Sequence, residues 1–263
     1  MFLVYIIFFA VSFGASIIGA ICGIGGGVII KPVLDAFGVL SVSTIGFLSG
    51  CTVLVMSCYS VVRSRVSHSS SIDMAVGTPL AVGAAVGGVA GKSLFQWVES
   101  LFPDPNTAGA VQAITLGVIT LGTLIYTVKK DKIHTYHIKS KLVCLIIGFV
   151  LGIMSSFLGI GGGPINLVVL YFFFSMTTKV AAQNSLYIIL FSQATSFLQT
   201  LFTGLPEFSW LLLLGMAVAG LLGGMCGRAI NKKINDKVVD KLFIMLMAVI
   251  ILINIYNAVK YLG

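Results

Sequence analysis

The sequence predicts an all-α polytopic membrane protein of about eight hydrophobic segments, arranged as two inverted repeats. Each repeat is expected to hold a glycine-broken, re-entrant helix pair followed by three transmembrane helices. Three observations carry this prediction. Hydrophobic residues make up 58% of the 263-residue chain and charged ones 9%, against about 25% charge in a soluble protein. The pentapeptide Gly-Ile-Gly-Gly-Gly occurs twice, at Gly23–Gly27 and Gly159–Gly163, an offset of 136. Finally, a net charge of +8 in so apolar a chain reads first as a topology signal rather than as a polyanion-binding surface.

Apolar runs long enough to cross a bilayer cover 2–38, 42–62, 74–98, 107–128, 141–175, 180–203, 208–229 and 238–259. The N-terminus is apolar from Phe2 with no basic stretch before it, so it is expected to be a retained membrane segment rather than a cleaved signal. The first and fifth runs are too long for one span, and each contains one pentapeptide. Four glycines in five residues are poor helix interior, each costing about 1 kcal/mol against Ala, so both runs are expected to break there. The arms that follow, Val28–Phe37 and Pro164–Phe174, reach only roughly 16 Å at helical rise, which favours re-entrance. The arms before the breaks are long enough to span, which leaves the depth of the hairpin tips open.

The repeat extends beyond the pentapeptides. At the same offset Ser49 matches Ser185, Ser60 matches Ser196, and Gly87–Lys92 matches Gly223–Arg228. The linker with Pro103 and Pro105 then shifts the register by about six, so Tyr126–Lys129 meets Tyr256–Lys260 loosely. The halves are therefore divided as 1–132 and 133–263.

Charge decides their orientation. Eight simple crossings would split the 16 basic residues evenly between the two sides. Letting each broken segment return to its own side puts 13 on one face and leaves Lys31, Lys92 and Lys260 opposite. By the positive-inside rule, loops 63–73, 129–141 and 228–241 are cytoplasmic, the membrane is the cell membrane, and the halves are inverted. Inverted repeats with broken helices are a common build of secondary transporters, with substrate near the midplane.

A glycine-rich turn leading into a helix offers unpaired backbone N–H groups and the positive end of the helix dipole. Glycine also lets a ligand approach the main chain. Two such turns meeting would cradle a small oxyanion; the alternative is that the glycines only permit a bend. Lys31, in an otherwise apolar run with Leu167 at the matching position, either holds an anion or snorkels to the interface. The polar residues after each break either contact substrate or hydrogen-bond between helices. The candidate anion-binding residues are Gly25, Gly26, Gly27, Lys31 and Ser49 in the first half. In the second half they are Gly161, Gly162, Gly163, Asn166, Gln183, Asn184, Ser185 and Gln193. Glycines at four-residue spacing, such as Gly83, Gly87 and Gly91, read as helix-packing positions.

All eight acids lie at segment ends or in loops and the three histidines in connectors, which gives no support to a buried carboxylate relay or a cation site. No HExxH, GxSxG or clustered Ser/His/Asp set stands in a membrane segment, so an enzyme is not expected. The five cysteines show no metal or disulfide spacing and read as small hydrophobes. No cofactor is expected.

Around the breaks the chain resembles the sulfite exporter TauE/SafE family of membrane permeases. The resemblance rests on Gly23-Ile24-Gly25-Gly26-Gly27-Val28-Ile29-Ile30-Lys31-Pro32-Val33-Leu34 and on Gly159–Leu170, and extends to the length and duplicated hydrophobic pattern. The second motif departs from the family pattern in carrying Val168 where a proline is common and Pro164 directly after the glycines, and Lys31 replaces a residue that is often apolar. The resemblance implies a transporter, often an exporter, for sulfur-containing oxyanions such as sulfite or an organosulfonate. It admits proton coupling, for which the substrate's own protonation is the simplest carrier. The expected partners are a small anion and the lipid bilayer, not nucleic acid; a homo-oligomer is compatible with the sequence. A passive anion channel on the same scaffold is the alternative, and a non-transporting membrane scaffold ranks behind both because the loops are short.

Overall fold

The computed structural model describes residues 2–67, 70–102 and 105–262. Pro103 of the linker, one of the three histidines (His68) and one of the eight acids (Asp104) lie outside the described residues. The described chain is all helical: α1 (Phe2–Cys22), α2 (Gly27–Phe37), α3 (Val42–Val66), α4 (Met74–Leu101), α5 (Pro105–Lys129), α6 (Lys141–Phe157), α7 (Pro164–Phe174), α8 (Thr178–Thr203), α9 (Trp210–Lys233) and α10 (Asp236–Leu262). Seven of these are long and apolar enough to cross a membrane, namely α1, α3, α4, α5, α8, α9 and α10. The other three are shorter, at 11, 17 and 11 residues for α2, α6 and α7. The hydrophobic segments at 2–38 and 141–175 are thus each two helices separated by their pentapeptide.

Local chemistry sets the helix ends. Ser41 caps α3 by accepting from the Thr44 N–H at 3.1 Å, and Asp73 caps α4 through the Ala75 N–H at 2.9 Å. Both satisfy donors that a helix start leaves without a carbonyl partner. Pro164 stands at the start of α7, where its missing N–H removes no hydrogen bond. Gly38 ends α2 at φ +65° with its N–H on the Asp35 carbonyl.

The distribution of side chains is that of a protein whose surrounding medium is lipid. Phe202 is 89% exposed and Leu142 and Leu252 68% each, while Ser49, Thr52, Asn184 and Ser185 are fully buried. Polar side chains turn inward because hydrocarbon offers them no hydrogen-bond partner.

The major contacts join the two halves of the chain. α1 packs on α9 and α4 on α6; α3 packs on α9 and α8 on α4; α2 packs on α10 and α7 on α5; α3 also meets α8, and α5 meets α10. Glycine backbones make the closest of these contacts. Gly83, Gly87 and Gly91 of α4 lie directly on the carbonyls of Leu145, Phe149 and Ile153, so α4 and α6 run parallel. Gly223 and Gly227 of α9 lie in the same way on Phe13 and Ile17, so α9 is parallel to α1. A Cβ at any of these positions would overlap main-chain atoms, which is the geometric content of small-residue helix packing. α3 and α8 cross antiparallel, with Ser64 bonded to Gln183 near one end and Gly50 beside Gln193 toward the other.

Candidate functional site

The two pentapeptides fold into turns that touch. Gly23, Gly25, Gly159 and Gly161 have φ of +75°, +73°, +63° and +67°, and Gly162 has φ +122°, a region open to glycine and costly for L side chains. A Cβ on Gly25 would stand 3.1 Å from the Gly161 carbonyl oxygen, and one on Gly27 would overlap the Ile160 carbonyl. Gly26 precedes α2 and Gly163 precedes α7, so the N-termini of two 11-residue helices are brought to one place. Their first N–H groups lack intrahelical partners and share the positive end of the helix dipole.

Polar groups surround the contact. The Ser49 hydroxyl lies 3.0 Å from the position a Gly27 Cβ would take, and the Ser16 hydroxyl 3.1 Å from that of Gly26. Both hydroxyls and the Asn166 Oδ1 are buried and have no hydrogen-bond partner among the described residues, and the same holds for the Ser185 hydroxyl in α8. Unsatisfied buried polar atoms are rare and call for an explanation such as a bound ligand. Among the sequence-based candidates, the structure gathers Gly25, Gly26, Gly27, Ser49, Gly161, Gly162 and Gly163 at this contact, with Asn166 in the first turn of α7.

Lys31 does not snorkel to the surface. It is 3% exposed and its Nζ donates to Asp35 Oδ2 at 2.7 Å, while its aliphatic chain runs beside Gly159. Asp35 is 5% exposed and its Oδ1 has no partner among the described residues. Asp35, read from sequence as a segment-end acid, is thus a buried carboxylate paired with Lys31. Asp35 does sit near the end of its segment, whose last residue Phe37 is exposed, but Asp35 itself is buried where α10 packs on α2. There Lys260 donates to the Ala36 carbonyl at 2.9 Å and Asn257 to the Pro32 carbonyl at 2.8 Å.

The three amides separate. Gln193 Nε2 donates to Ser155 Oγ at 3.3 Å, and its Oε1 lies beside Gly50. Gln183 accepts from Ser64 Oγ at 3.1 Å and from the Ser71 N–H at 3.0 Å. Asn184 donates to the Ser71 and Val180 carbonyls at 3.3 and 2.9 Å. Gln183 and Asn184 thus fasten the start of α8 to α3 and to the α3–α4 connector, in the interhelical role open to them from sequence.

Two cavities flank the glycine contact. One, of about 30 Å³, is lined by Lys31, Lys92, Gln112, Ser156, Gly159 and Gln193, together with the first part of α3 and the last part of α8. The other, of about 230 Å³, is lined by Ala20, Ser60, Lys179, Gln183, Arg228 and Asn231, with neighbouring residues of the first turns of α8. Sequence reasoning did not single out Lys92, Gln112 or Arg228 as site residues. Lys92 and Arg228 were visible as a matched basic pair in the repeat, and Gln112 as an amide in an apolar segment.

A sequence model of the family described as sulfite exporter TauE/SafE matches residues 8–253. The chain belongs to that family. It is also similar to the probable membrane transporter protein YunE of Bacillus subtilis (strain 168), at 22% identity over 243 residues that cover 84% of this chain and 86% of the relative. No solved structure matches it at a significant level. Membership in TauE/SafE, together with seven helices able to cross a bilayer, makes the chain a multi-pass membrane transporter. The resemblance first read from the two glycine motifs holds over nearly the whole sequence, both motifs included.

Proposed function

We propose that this TauE/SafE protein is a secondary transporter for a small anion, with sulfite or an organosulfonate as the substrate class, bound where the two glycine turns meet. The observation that carries the reading is the convergence of the α2 and α7 N-termini, beside the buried Ser16 and Ser49 hydroxyls, which have no partner among the described residues. Helix N-termini and exposed glycine N–H groups bind oxyanions without requiring a basic side chain. Such a site holds an anion and still lets it leave, because no full opposite charge has to be broken away. The serine hydroxyls and the Asn166 side chain donate to the same oxygens when an anion is present.

Two inverted halves complete this reading. The parallel pairs α4–α6 and α1–α9, with antiparallel α3–α8, support halves of opposite orientation, and the basic loops 63–73, 129–141 and 228–241 are then the cytoplasmic ones. The test is flux of radiolabelled sulfite, sulfate and a short alkylsulfonate in proteoliposomes, with counterflow as the mark of a carrier. Saturable sulfite or sulfonate flux is expected. Flux no greater than in empty vesicles for every anion would remove the proposal, and unsaturable flux without counterflow would make the protein a channel.

A further inference from the structure

The two cavities are the same cavity twice. Eight of the nine residues that line the larger one stand 136 positions from a residue that lines the smaller one. Arg228 answers to Lys92, Lys179 to Ser43 and Ser60 to Ser196. The correspondence is spatial as well as sequential. The smaller cavity uses α3 up to Cys51 and α8 from Gln193 onward; the larger uses α3 at Ser60 and α8 only as far as Leu186. Because α3 and α8 run antiparallel, the cavities open at opposite ends of the same helix pair.

Between them stand Val53 and Ile189, themselves 136 positions apart and both fully buried. Val53 packs on the positions where Gly25 and Gly161 would carry a Cβ, and Ile189 on those of Gly25 and Gly162. With Ala20, Met56 and Leu186 they form a small apolar cluster of their own. The cluster lies between the two cavities and against the glycine turns, so an anion moving from one cavity to the other meets an apolar constriction beside them.

We propose that the two cavities are the opposite mouths of one anion path, that Lys92 and Arg228 receive the anion at each mouth, and that Val53 and Ile189, lodged in the glycine turns, are the gate between them. This rests on the anion-transport reading for its ligand, but its geometry does not. The unequal sizes, about 30 against 230 Å³, describe a molecule open at the Arg228 mouth and narrowed at the Lys92 mouth. Exchanging the two arrangements across the repeat produces the opposite state from the same contacts, with Val53 and Ile189 shifting roles.

The experiment is side-specific thiol labelling in oriented vesicles, with the five native cysteines replaced by alanine and retention of fold checked by size-exclusion profile. Ser43→Cys reports on the Lys92 mouth and Lys179→Cys on the Arg228 mouth. A membrane-impermeant charged methanethiosulfonate is expected to label each at least tenfold faster from its own side, the two sides being opposite. Adding Val53→Ala or Ile189→Ala, singly and together, is expected to let the reagent cross, so that each position is labelled from both sides. Labelling of both reporters from the same side overturns the opposed mouths. Unchanged sidedness in folded Val53→Ala and Ile189→Ala proteins overturns the gate. These readouts need no substrate, so they stand or fall separately from anion transport. The assignment of the two cations is read by flux. Lys92→Gln and Arg228→Gln are each expected to raise the half-saturating sulfite concentration five- to twentyfold from one face only, and equal effects from both faces would overturn it.

Discussion

Lys31 and Asp35 stand one helical turn apart on α2 and close a 2.7 Å ion pair at side-chain exposures of 4% and 7%, while the matching positions in the second half hold Leu167 and Tyr171. The pair is thus a feature of one half only. Lys31 also lines the cavity beside Gly159, and Asp35 supplies the negative charge that faces its ammonium there. A buried pair gains little over an apolar replacement, but losing one member strands a charge.

Removing either partner alone is therefore expected to destabilise strongly. Lys31→Leu or Asp35→Asn should cost about 3–5 kcal/mol, seen as a large fall in Tm in detergent. The double variant should recover most of that loss while still transporting sulfite more slowly than the parent. Recovery of both stability and full flux would confine Lys31 to a structural role.

The glycine contact makes a contrast between two kinds of glycine. A Cβ at Gly27 would overlap the Ile160 carbonyl, whereas nothing lies within 4 Å of one at Gly122. Gly27→Ala is expected to reduce flux at least a hundredfold. Gly122→Ala should leave flux unchanged and stabilise α5 by up to about 1 kcal/mol. Flux measured on both, at matched reconstituted protein, checks the pair.

At the stripe between α4 and α6 the expected loss is of stability before function. Gly87→Ala would put its methyl group into the Phe149 carbonyl, and overpacking of this kind costs typically 1–3 kcal/mol. Thermal unfolding of Gly87→Ala against Gly14→Ala, whose Cβ has nothing within 4 Å, gives the comparison. Equal Tm values would show that α4 and α6 separate without penalty.

A second ion pair offers a graded control. Lys130 meets Asp240 at 2.6 Å with side-chain exposures of 17% and 22%, and Tyr171 and Thr178 share the same carboxylate. The pair is less buried than Lys31–Asp35, so Lys130→Met is expected to cost less than Lys31→Leu. A loss as large as that for Lys31→Leu would mean that the site is drier than its exposure indicates.

Much of the fold was legible because its rules are local. Pro164 and the glycines before it fixed where α7 begins, and the repeat of Gly-Ile-Gly-Gly-Gly marked both breaks. The positive φ values at Gly25 and Gly161 are what such a glycine run is for. What could not be read was which helix lies against which. Asp35 looked like a segment-end acid because only the packing of α10 over α2 buries it. Nor could it be read that Gln183 and Asn184 would meet the α3–α4 connector, which approaches them only in the folded chain. Lys92 and Arg228 were seen as a matched pair, but nothing linear said that each borders a cavity.

The glycine faces of α4 and α9 set an order of assembly. α4 lays its bare backbone against α6, and α9 against α1, so each half is completed by a helix from the other. During synthesis α4 is made before its partner exists, and about 50 further residues have to follow Leu101 before α6 is complete and the contact can form. The nascent first half is therefore an open structure held in waiting, and it closes when α6 arrives.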